Sequence, residues 1–452
     1  MRYEEYIKTP EAVWFSYVPA DWRATKMREV FSERNTKVSD KDYPALSVGK
    51  MGVTPQLDTA VKTDNGDNRK LICNGDFAIN SRSDRKGSSG ISQYDGSASL
   101  IITVLKPHHE LNGKFYHYLL RSHYFVEEFY RNGHGLVSDL WTTKWDEMRN
   151  IYIPVPPREE QDQIVHYLDW KVSCINKLIH GYQRQIKLLE ERYTSMVTDA
   201  VIHGIKENVR FVTADIQGFD HMPDTWETVQ NKRIFRERSE TSQTGTETLL
   251  SVSKRFGVKP YNELEENEKL ATIKPAESLV GYKKVSPGNL AMNIMRARNG
   301  SYGISDYEGI VSLAYCVYEL AMPADSRYMH YLLKTPQVIS LFEAYSYGIC
   351  EHRRRLYAPD FLRLYLPIPP VEEQKEIADY VAVEEKKKHS LVKQLEKQIA
   401  LLKEYRTRLI SDVVTGQMDV RGVTVPEYVP ETDEEDEEID ETLSDAGEES
   451  EV

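Results

Sequence analysis

One eighteen-residue phrase occurs twice in this chain, and it constrains the fold more than any other feature. It reads "IYIPVPPREEQDQIVHYL" at residues 151–168 and "LYLPIPPVEEQKEIADYV" at 364–381, an offset of 213 (364 − 151), with nine of the eighteen positions identical. Each copy is an alternating apolar run, a proline pair that cannot continue a strand, and two glutamates that favour the positive end of a helix. The phrase therefore predicts a strand, its termination and a helix start, twice.

The rest of the chain repeats around this phrase. Residues 75–99 align with 288–312 at the same offset, and upstream, at an offset of 204, Trp22 matches Trp226. Each half reads as a module of roughly 150 residues, a usual domain size, followed by a long helix. Short β-rich runs with one helical stretch per module favour an α+β fold.

These repeats predict a complete domain organisation. The fold class is α+β, with two tandem globular modules separated by two long helices that form an antiparallel coiled coil, and with a disordered acidic C-terminal tail. The predicted boundaries are 1–157 for the first module, 158–204 for the central helix, 205–370 for the second module, 371–415 for the C-terminal helix and 416–452 for the tail.

Both long helices carry an apolar seam with spacings near 3.5 residues, which is the coiled-coil period. In the second helix Glu385 and Lys388 interrupt this seam, and Arg406 ends it. Some forty residues per helix exceed what packing on one module requires, so we expect the helices to pair with each other. The seam residues proposed for this interface are Leu168, Ile175, Ile179, Ile186, Leu189, Leu395, Ile399, Leu402 and Leu409.

The net charge of −13 argues against nucleic-acid binding if it is spread evenly, but the acidic residues are concentrated near the C-terminus. Residues 426–452 hold fourteen acidic and no basic residues, so the first 425 residues carry about +1 (−13 + 14). The acidic run cannot bury itself, which predicts the disordered tail. No run of about eighteen apolar residues and no signal peptide are present, so we expect a cytoplasmic protein without membrane contact.

Equivalent loops of the two modules carry different polar residues. The first loop lies between Asn80 and Gly90 in one module and between Asn293 and Gly303 in the other. Arginine can bind guanine bidentately, asparagine can bind adenine, and serine can bind phosphate, so these loops predict DNA contacts. A second loop pair lies at 135–145 and 348–358. With this pair and two turn lysines, the candidates are Lys50, Arg82, Ser83, Arg85, Lys86, Ser88, Lys144, Lys254, Arg296, Arg298, Asn299, Ser301, Tyr302, Arg353, Arg354 and Arg355.

The chain resembles the specificity subunits of type I restriction-modification systems. The resemblance rests on the repeated "IPxPPxEEQ" phrase, the "P-x-x-W" opening of each module, and "LISDVVTGQMDVRG" at 409–422 after the last helix. It covers residues from about Tyr6 to Val423, and the acidic tail lies outside it. In this family the recognition loops lie in the stretches that here contain residues 82–88 and 296–302 and those after Gly135 and Gly348.

The resemblance implies a non-catalytic subunit that reads double-stranded DNA. Each module would be a target recognition domain for one half of an asymmetric, bipartite site, and the coil would fix the gap and dock two methyltransferase subunits. Restriction subunits, which translocate and cleave DNA, would join this complex. The chain itself would bind no cofactor or metal, because S-adenosylmethionine, ATP and Mg²⁺ are expected on the partner subunits.

Two other classes of protein are compared with the hypothesis of a DNA-reading subunit. A DNA methyltransferase needs Asn or Asp before Pro-Pro and an aromatic residue after it, whereas the proline pairs here follow Val155 and Ile368. Phosphate-loop, zinc-protease and nucleophile-elbow motifs do not occur in the sequence. A stand-alone coiled-coil adaptor, or a DNA-binding protein without restriction-modification partners, is the alternative, and DNA binding at stated salt discriminates the adaptor.

Overall fold

The computed structural model describes residues 2–430 except 57–65, 83–85, 109–110, 136–140, 255–256, 265–275, 277 and 349–353. It divides into two compact units. Unit 1 comprises the described residues of Met1–Tyr182 and Lys397–Thr432, and unit 2 those of Gln183–Glu396. Both units mix strands with helices.

Unit 1 is built on antiparallel strands. Its largest sheet has the order β10-β9-β12-β4, a second has the order β11-β8-β5, and three strand pairs complete it. The strands are β1 Tyr6–Lys8, β2 Tyr17–Pro19, β3 Arg23–Lys26, β4 Phe31–Glu33, β5 Lys37–Val38, β6 Leu46–Gly49, β7 Gly52–Pro55, β8 Arg69–Ile72, β9 Phe77–Asn80, β10 Ser89–Ile91, β11 Gly96–Ala98, β12 Ile102–Pro107 and β13 Tyr152–Val155.

Four helices of unit 1 lie between these strands: α1 Met27–Val30, α2 Gly113–Arg121, α3 His123–Arg131 and α4 Trp145–Met148. Helix α2 begins where the Asn112 side chain accepts the Phe115 N–H, and α3 begins where the Ser122 side chain accepts the Phe125 N–H. Such caps replace a helix's missing first hydrogen bonds. The apolar faces of both helices enter the same core as the four-stranded sheet.

Unit 2 carries the same strand order on its own residues. Its largest sheet has the order β17-β24-β21-β22, which repeats β4-β12-β9-β10. Its strands are β14 Phe211–Ile216, β15 Phe219–Pro223, β16 Glu227–Gln230, β17 Phe235–Arg238, β18 Leu250–Ser253, β19 Gly257–Pro260, β20 Lys283–Val285, β21 Leu290–Asn293, β22 Tyr302–Ile304, β23 Gly309–Val311, β24 Tyr315–Leu320 and β25 Tyr365–Ile368.

The chain has two long helices, α5 Arg158–His203 and α10 Val371–Val414. Between them lie α6 Asn231–Ile234, α7 Ser326–Leu333, α8 Pro336–Ala344 and α9 Ala358–Arg363. Helix α7 is capped by Asp325, whose carboxylate accepts two backbone N–H groups.

The repeated phrase forms the predicted strand, stop and helix start in both units. Strand β13 pairs with β3, and β25 pairs with β16, before the proline pair ends each strand. Gln161 then donates to the Pro156 carbonyl at 2.9 Å, and Gln374 donates to the Pro369 carbonyl at 2.9 Å. The repeated glutamine therefore fastens the first helical turn to the end of the strand in each unit.

Within unit 1 the beginning of α5 packs antiparallel to the end of α10 and the segment that follows it. Asn176 accepts a hydrogen bond from Arg406 at 2.5 Å, whereas the earlier residue Gln163 donates to the later carbonyl of Val420 at 3.0 Å. Of the predicted seam residues, Leu168, Ile175, Ile179 and Leu409 are buried in this core, and Ile399 and Leu402 are partly buried against it.

Within unit 2 the same two helices also pack together in antiparallel fashion. Lys388 Nζ lies 4.3 Å from the ring centroid of Tyr193, and Lys206 Nζ lies 3.3 Å from the Glu373 carboxylate. Val197 and Ala378 contribute to one core. The remaining predicted seam residues, Ile186, Leu189 and Leu395, are half-buried.

In the described part of the chain, no helix is both long enough and apolar enough to cross a membrane.

Candidate nucleic-acid interface

The first loop of each unit starts from the same backbone turn. In unit 1 Asn80 ends β9, and its Oδ1 accepts the backbone N–H of Arg82 at 3.1 Å. In unit 2 Asn293 ends β21, and its Oδ1 accepts the backbone N–H of Met295 at 3.0 Å. This side-chain turn ends the strand at the same point in both units.

The loop of unit 1 presents two cationic side chains on its surface. Arg82 and Lys86 are both exposed, and Lys86 Nζ lies 2.6 Å from Glu127 and 4.9 Å from the ring centroid of Tyr130. Ser88 is buried at the base of the loop. The predicted residues Ser83 and Arg85 lie outside the described residues.

The loop of unit 2 is held more tightly. Arg296 is half-buried, the Arg298 side chain is 19% exposed and 4.0 Å from Glu343, and Asn299 is exposed. Ser301 and Tyr302 are buried.

The Tyr302 side chain lies beneath this loop rather than on its surface. Its hydroxyl donates to the Leu333 carbonyl at 2.5 Å, and its ring centroid lies 5.4 Å from that of Phe342. Burial raises the pKa of this hydroxyl above its usual range. These are the contacts of a core residue, and whether Tyr302 meets DNA stays a prediction.

The second loop of each unit closes through one matched pair of backbone hydrogen bonds. His134 pairs with Thr142 in unit 1, and Tyr347 pairs with Arg355 at the same offset of 213 in unit 2. Arg354 donates to the Ser346 carbonyl at 3.1 Å and is half-buried, as is Arg355. In unit 1 Lys144 is exposed; Arg353 lies outside the described residues.

Two cationic residues that the sequence analysis missed donate hydrogen bonds to backbone carbonyls, one in the β6–β7 turn of unit 1 and one in the first loop of unit 2. Arg121, at the end of α2, donates to the backbone carbonyl of Lys50. Lys334, which follows α7, donates to the Gly300 carbonyl at 2.6 Å. They occupy equivalent positions (334 − 121 = 213), so the repeat offset was the signal that could have found them.

The turn lysines Lys50 and Lys254 are exposed, as expected for residues that could contact phosphate. Desolvation by burial, together with the charge of Lys254, lowers the pKa of Lys334 to about 8. Among the described residues, no group of three or more His, Cys, Asp or Glu could hold a metal ion.

Comparison with known proteins shows what the chain and its fold are similar to. Residues 19–188 match the family model of the type I restriction modification DNA specificity domain. A chain in a solved structure, described for complex assembly and conformational transition of the type I R-M system, shares the fold with a TM-score of 0.63 and 14% identity. It covers 89% of this chain and 99% of its own length.

Two curated relatives come from Methanocaldococcus jannaschii. The putative type I restriction enzyme MjaX specificity subunit is 22% identical over 422 residues, which cover 85% of this chain and 93% of the relative. The type I restriction enzyme MjaVIII specificity subunit is 23% identical over 290 residues, which cover 61% of this chain and 64% of the relative. These matches confirm the resemblance of the sequence to the specificity subunits of type I restriction-modification systems.

Proposed function

We propose that this chain is the non-catalytic DNA-reading subunit of a type I restriction-modification complex, and that each unit reads one half of a bipartite, asymmetric site. One observation carries the proposal: two units with the same strand order and the same loop-starting turn present different polar side chains. Unit 1 offers Arg82 and Lys86, whereas unit 2 offers Arg296, Arg298 and Asn299. A shared scaffold with different contact residues suits two different half-sites.

The chemistry of these side chains supports base reading in unit 2. A guanidinium can donate two hydrogen bonds to the O6 and N7 atoms of guanine, and an amide can pair with adenine in the same way. The partial burial of Arg296 and Arg298 limits their rotamers, so less freedom is lost when they bind. Exposed lysines such as Lys50 and Lys254 would bind phosphate and set the register.

The paired helices would serve as a spacer that sets the gap between the half-sites. Helix α5 has 46 residues and α10 has 44, so each measures roughly 65–70 Å at about 1.5 Å per residue. Exposed apolar side chains on these helices, among them Leu188 and Leu391, are candidates for docking two methyltransferase subunits. Those subunits would carry S-adenosylmethionine, and restriction subunits would add ATP- and Mg²⁺-dependent cleavage, all in the cytoplasm.

Methylome sequencing of a host that expresses the chain with its partner subunits tests this function. The wild-type chain should give methylation at one bipartite motif. The double variant Arg296→Ala, Arg298→Ala should relax one half-site only, with a loss of roughly 1–3 kcal/mol per bidentate contact. Arg236→Ala is the control, because this exposed arginine lies on β17 and pairs with Glu319.

If the double variant still methylates the wild-type motif, neither arginine reads DNA and both are ordinary surface charges. Binding of the complex to DNA without any sequence preference would contradict the proposed function as a whole.

A further inference from the structure

A small cavity in unit 1 opens beside the first loop. It has an empty volume of about 370 Å³, its mouth included, and its interior leaves room for about one group of the size of a water molecule. Ile79, Phe125 and Phe129 line it, and all three are buried. Arg82 and Lys86 line it too, and both are exposed.

The corresponding space in unit 2 is filled by a tyrosine ring. Ser89 pairs with Ile79 across β10 and β9, and Tyr302 pairs with Met292 in the same register, 213 residues further on. The Tyr302 ring packs against Phe342, which is equivalent to Phe129 (342 − 129 = 213). The cavity of unit 1 therefore exists because serine replaces tyrosine at this position.

The hydroxyl of Ser89 is a hydrogen-bonding group that no described residue satisfies. Its side chain is fully buried, and its hydroxyl has no hydrogen-bond partner among the described residues. A buried hydroxyl without a partner is unfavourable, so a group that brings an acceptor to it is favoured. The cavity thus combines apolar walls with a spare donor.

We propose that this cavity is a thymine-reading site, which takes up the C5-methyl group of one thymine in the half-site contacted by unit 1. The inference rests on the proposed function, because it requires the first loop to face DNA. In the major groove thymine presents a methyl group beside the O4 acceptor, whereas guanine presents two acceptors and cytosine a donor. A methyl group matches the free space, and the exposed Arg82 beside it can donate a hydrogen bond to O4.

Deoxyuridine substitution isolates the methyl group. The motif is first defined by methylome sequencing, and the half-site of unit 1 is the one left unchanged by Arg296→Ala, Arg298→Ala. Each thymine on either strand is then replaced singly by deoxyuridine, and binding of the complex with its methyltransferase subunits is measured at fixed salt. One replacement in the unit 1 half-site should weaken binding roughly three- to fivefold, as expected for one buried methyl.

Two substitutions at one position give the matched comparison. Ser89→Tyr copies unit 2 and fills the cavity, so it should abolish the difference between thymine and deoxyuridine. Ser89→Ala keeps the cavity open and should preserve that difference. If Ser89→Tyr does not fold, the deoxyuridine scan of the wild-type chain decides the question alone.

Equal binding of all deoxyuridine duplexes, a unit 1 half-site without thymine, or an undiminished difference in a folded Ser89→Tyr chain would each overturn the site. In those cases specific binding to the motif would still stand, so the proposed function would survive. Loss of all sequence preference would instead remove the function on which the site rests.

Discussion

His117 and His330 are equivalent half-buried histidines that contact β10 and β22 respectively. His117 Nδ1 accepts the backbone N–H of Ile91 at 3.4 Å, and His330 Nδ1 accepts that of Ile304 at 3.3 Å. Burial, together with the charge of Arg121 beside His117 and of Lys334 beside His330, lowers the pKa of each imidazole to about 4. Both imidazoles are therefore neutral at pH 7, as their acceptor role requires.

These histidines predict a loss of stability in acid. Their folded pKa of about 4 lies below the ordinary value of 6.5, so below pH 6.5 the unfolded chain binds protons that the folded chain excludes. The free energy of unfolding should be insensitive to them above pH 6.5 and should fall between pH 6.5 and 4. The fall should reach up to about 3 kcal/mol per histidine, measured by urea unfolding at several pH values.

The double variant His117→Gln, His330→Gln keeps an acceptor but cannot take up this proton. Its unfolding free energy should therefore fall less steeply over the same pH range. His123→Gln, at an exposed position, is the control and should behave as the wild type does. Equal slopes for the double variant and the wild type would show that these two groups are not responsible.

At the scale of elements, one face of α10 is in the core and the other is not. Leu409 is 1% exposed, whereas Leu401 on the same helix is 49% exposed. Leu409→Ala should lower the free energy of unfolding by about 2–5 kcal/mol, because it leaves a cavity. Leu401→Ala should change it by less than about 0.5 kcal/mol. Urea unfolding of both variants checks this, and similar losses would place Leu401 in the core as well.

The spacer prediction also belongs to the elements. One heptad inserted into α5 after Gln183, and one into α10 after Glu396, keep the seam in phase. Seven residues add roughly 10 Å, so the gap between half-sites should grow by about three base pairs. Methylome sequencing measures the gap. A heptad in α5 alone shifts the seam and should abolish methylation; an unaltered gap with both insertions would contradict the spacer.

The polar residues Glu385 and Lys388 do not interrupt α10, although they interrupt the apolar coiled-coil spacing of the sequence. The helix runs unbroken from Val371 to Val414, and Lys388 places its ammonium over the Tyr193 ring. A lysine can bury its methylene stem and still solvate its charge. Periodicity counts such a residue as polar, so the sequence alone did not reveal this packing.

At the scale of the whole molecule, charge is divided unequally along the chain. Deleting residues 431–452 removes thirteen acidic residues and brings the formal charge from −13 to 0 (−13 + 13). Affinity for DNA at about 50 mM salt should rise by roughly two- to tenfold, because less negative charge opposes the phosphates. This gain should shrink as salt screens it.

A mobility-shift titration at two salt concentrations measures that gain. Replacing 431–452 by a glycine-serine segment of equal length is the control, and it should give the same gain if charge is the cause. A gain in neither variant at low salt would refute the electrostatic role of this segment.

The sequence by itself determined the repeat, the mixed helices and strands, the strand-to-helix junctions and the two long helices. These features depend on proline, on apolar spacing and on local capping, which are all encoded within a few residues. The resemblance to type I specificity subunits also followed from the sequence, because it rests on short local phrases such as the repeated proline-pair motif.

Only the tertiary structure decided which loop residues reach the surface. Tyr302 and Ser89 hold the same strand position, yet one fills a space that the other leaves empty. Whether a side chain fills a cavity, caps a carbonyl or faces solvent depends on neighbours that are distant in sequence, such as Phe342 and Leu333. Burial is set by those long-range contacts, so no local pattern could assign it.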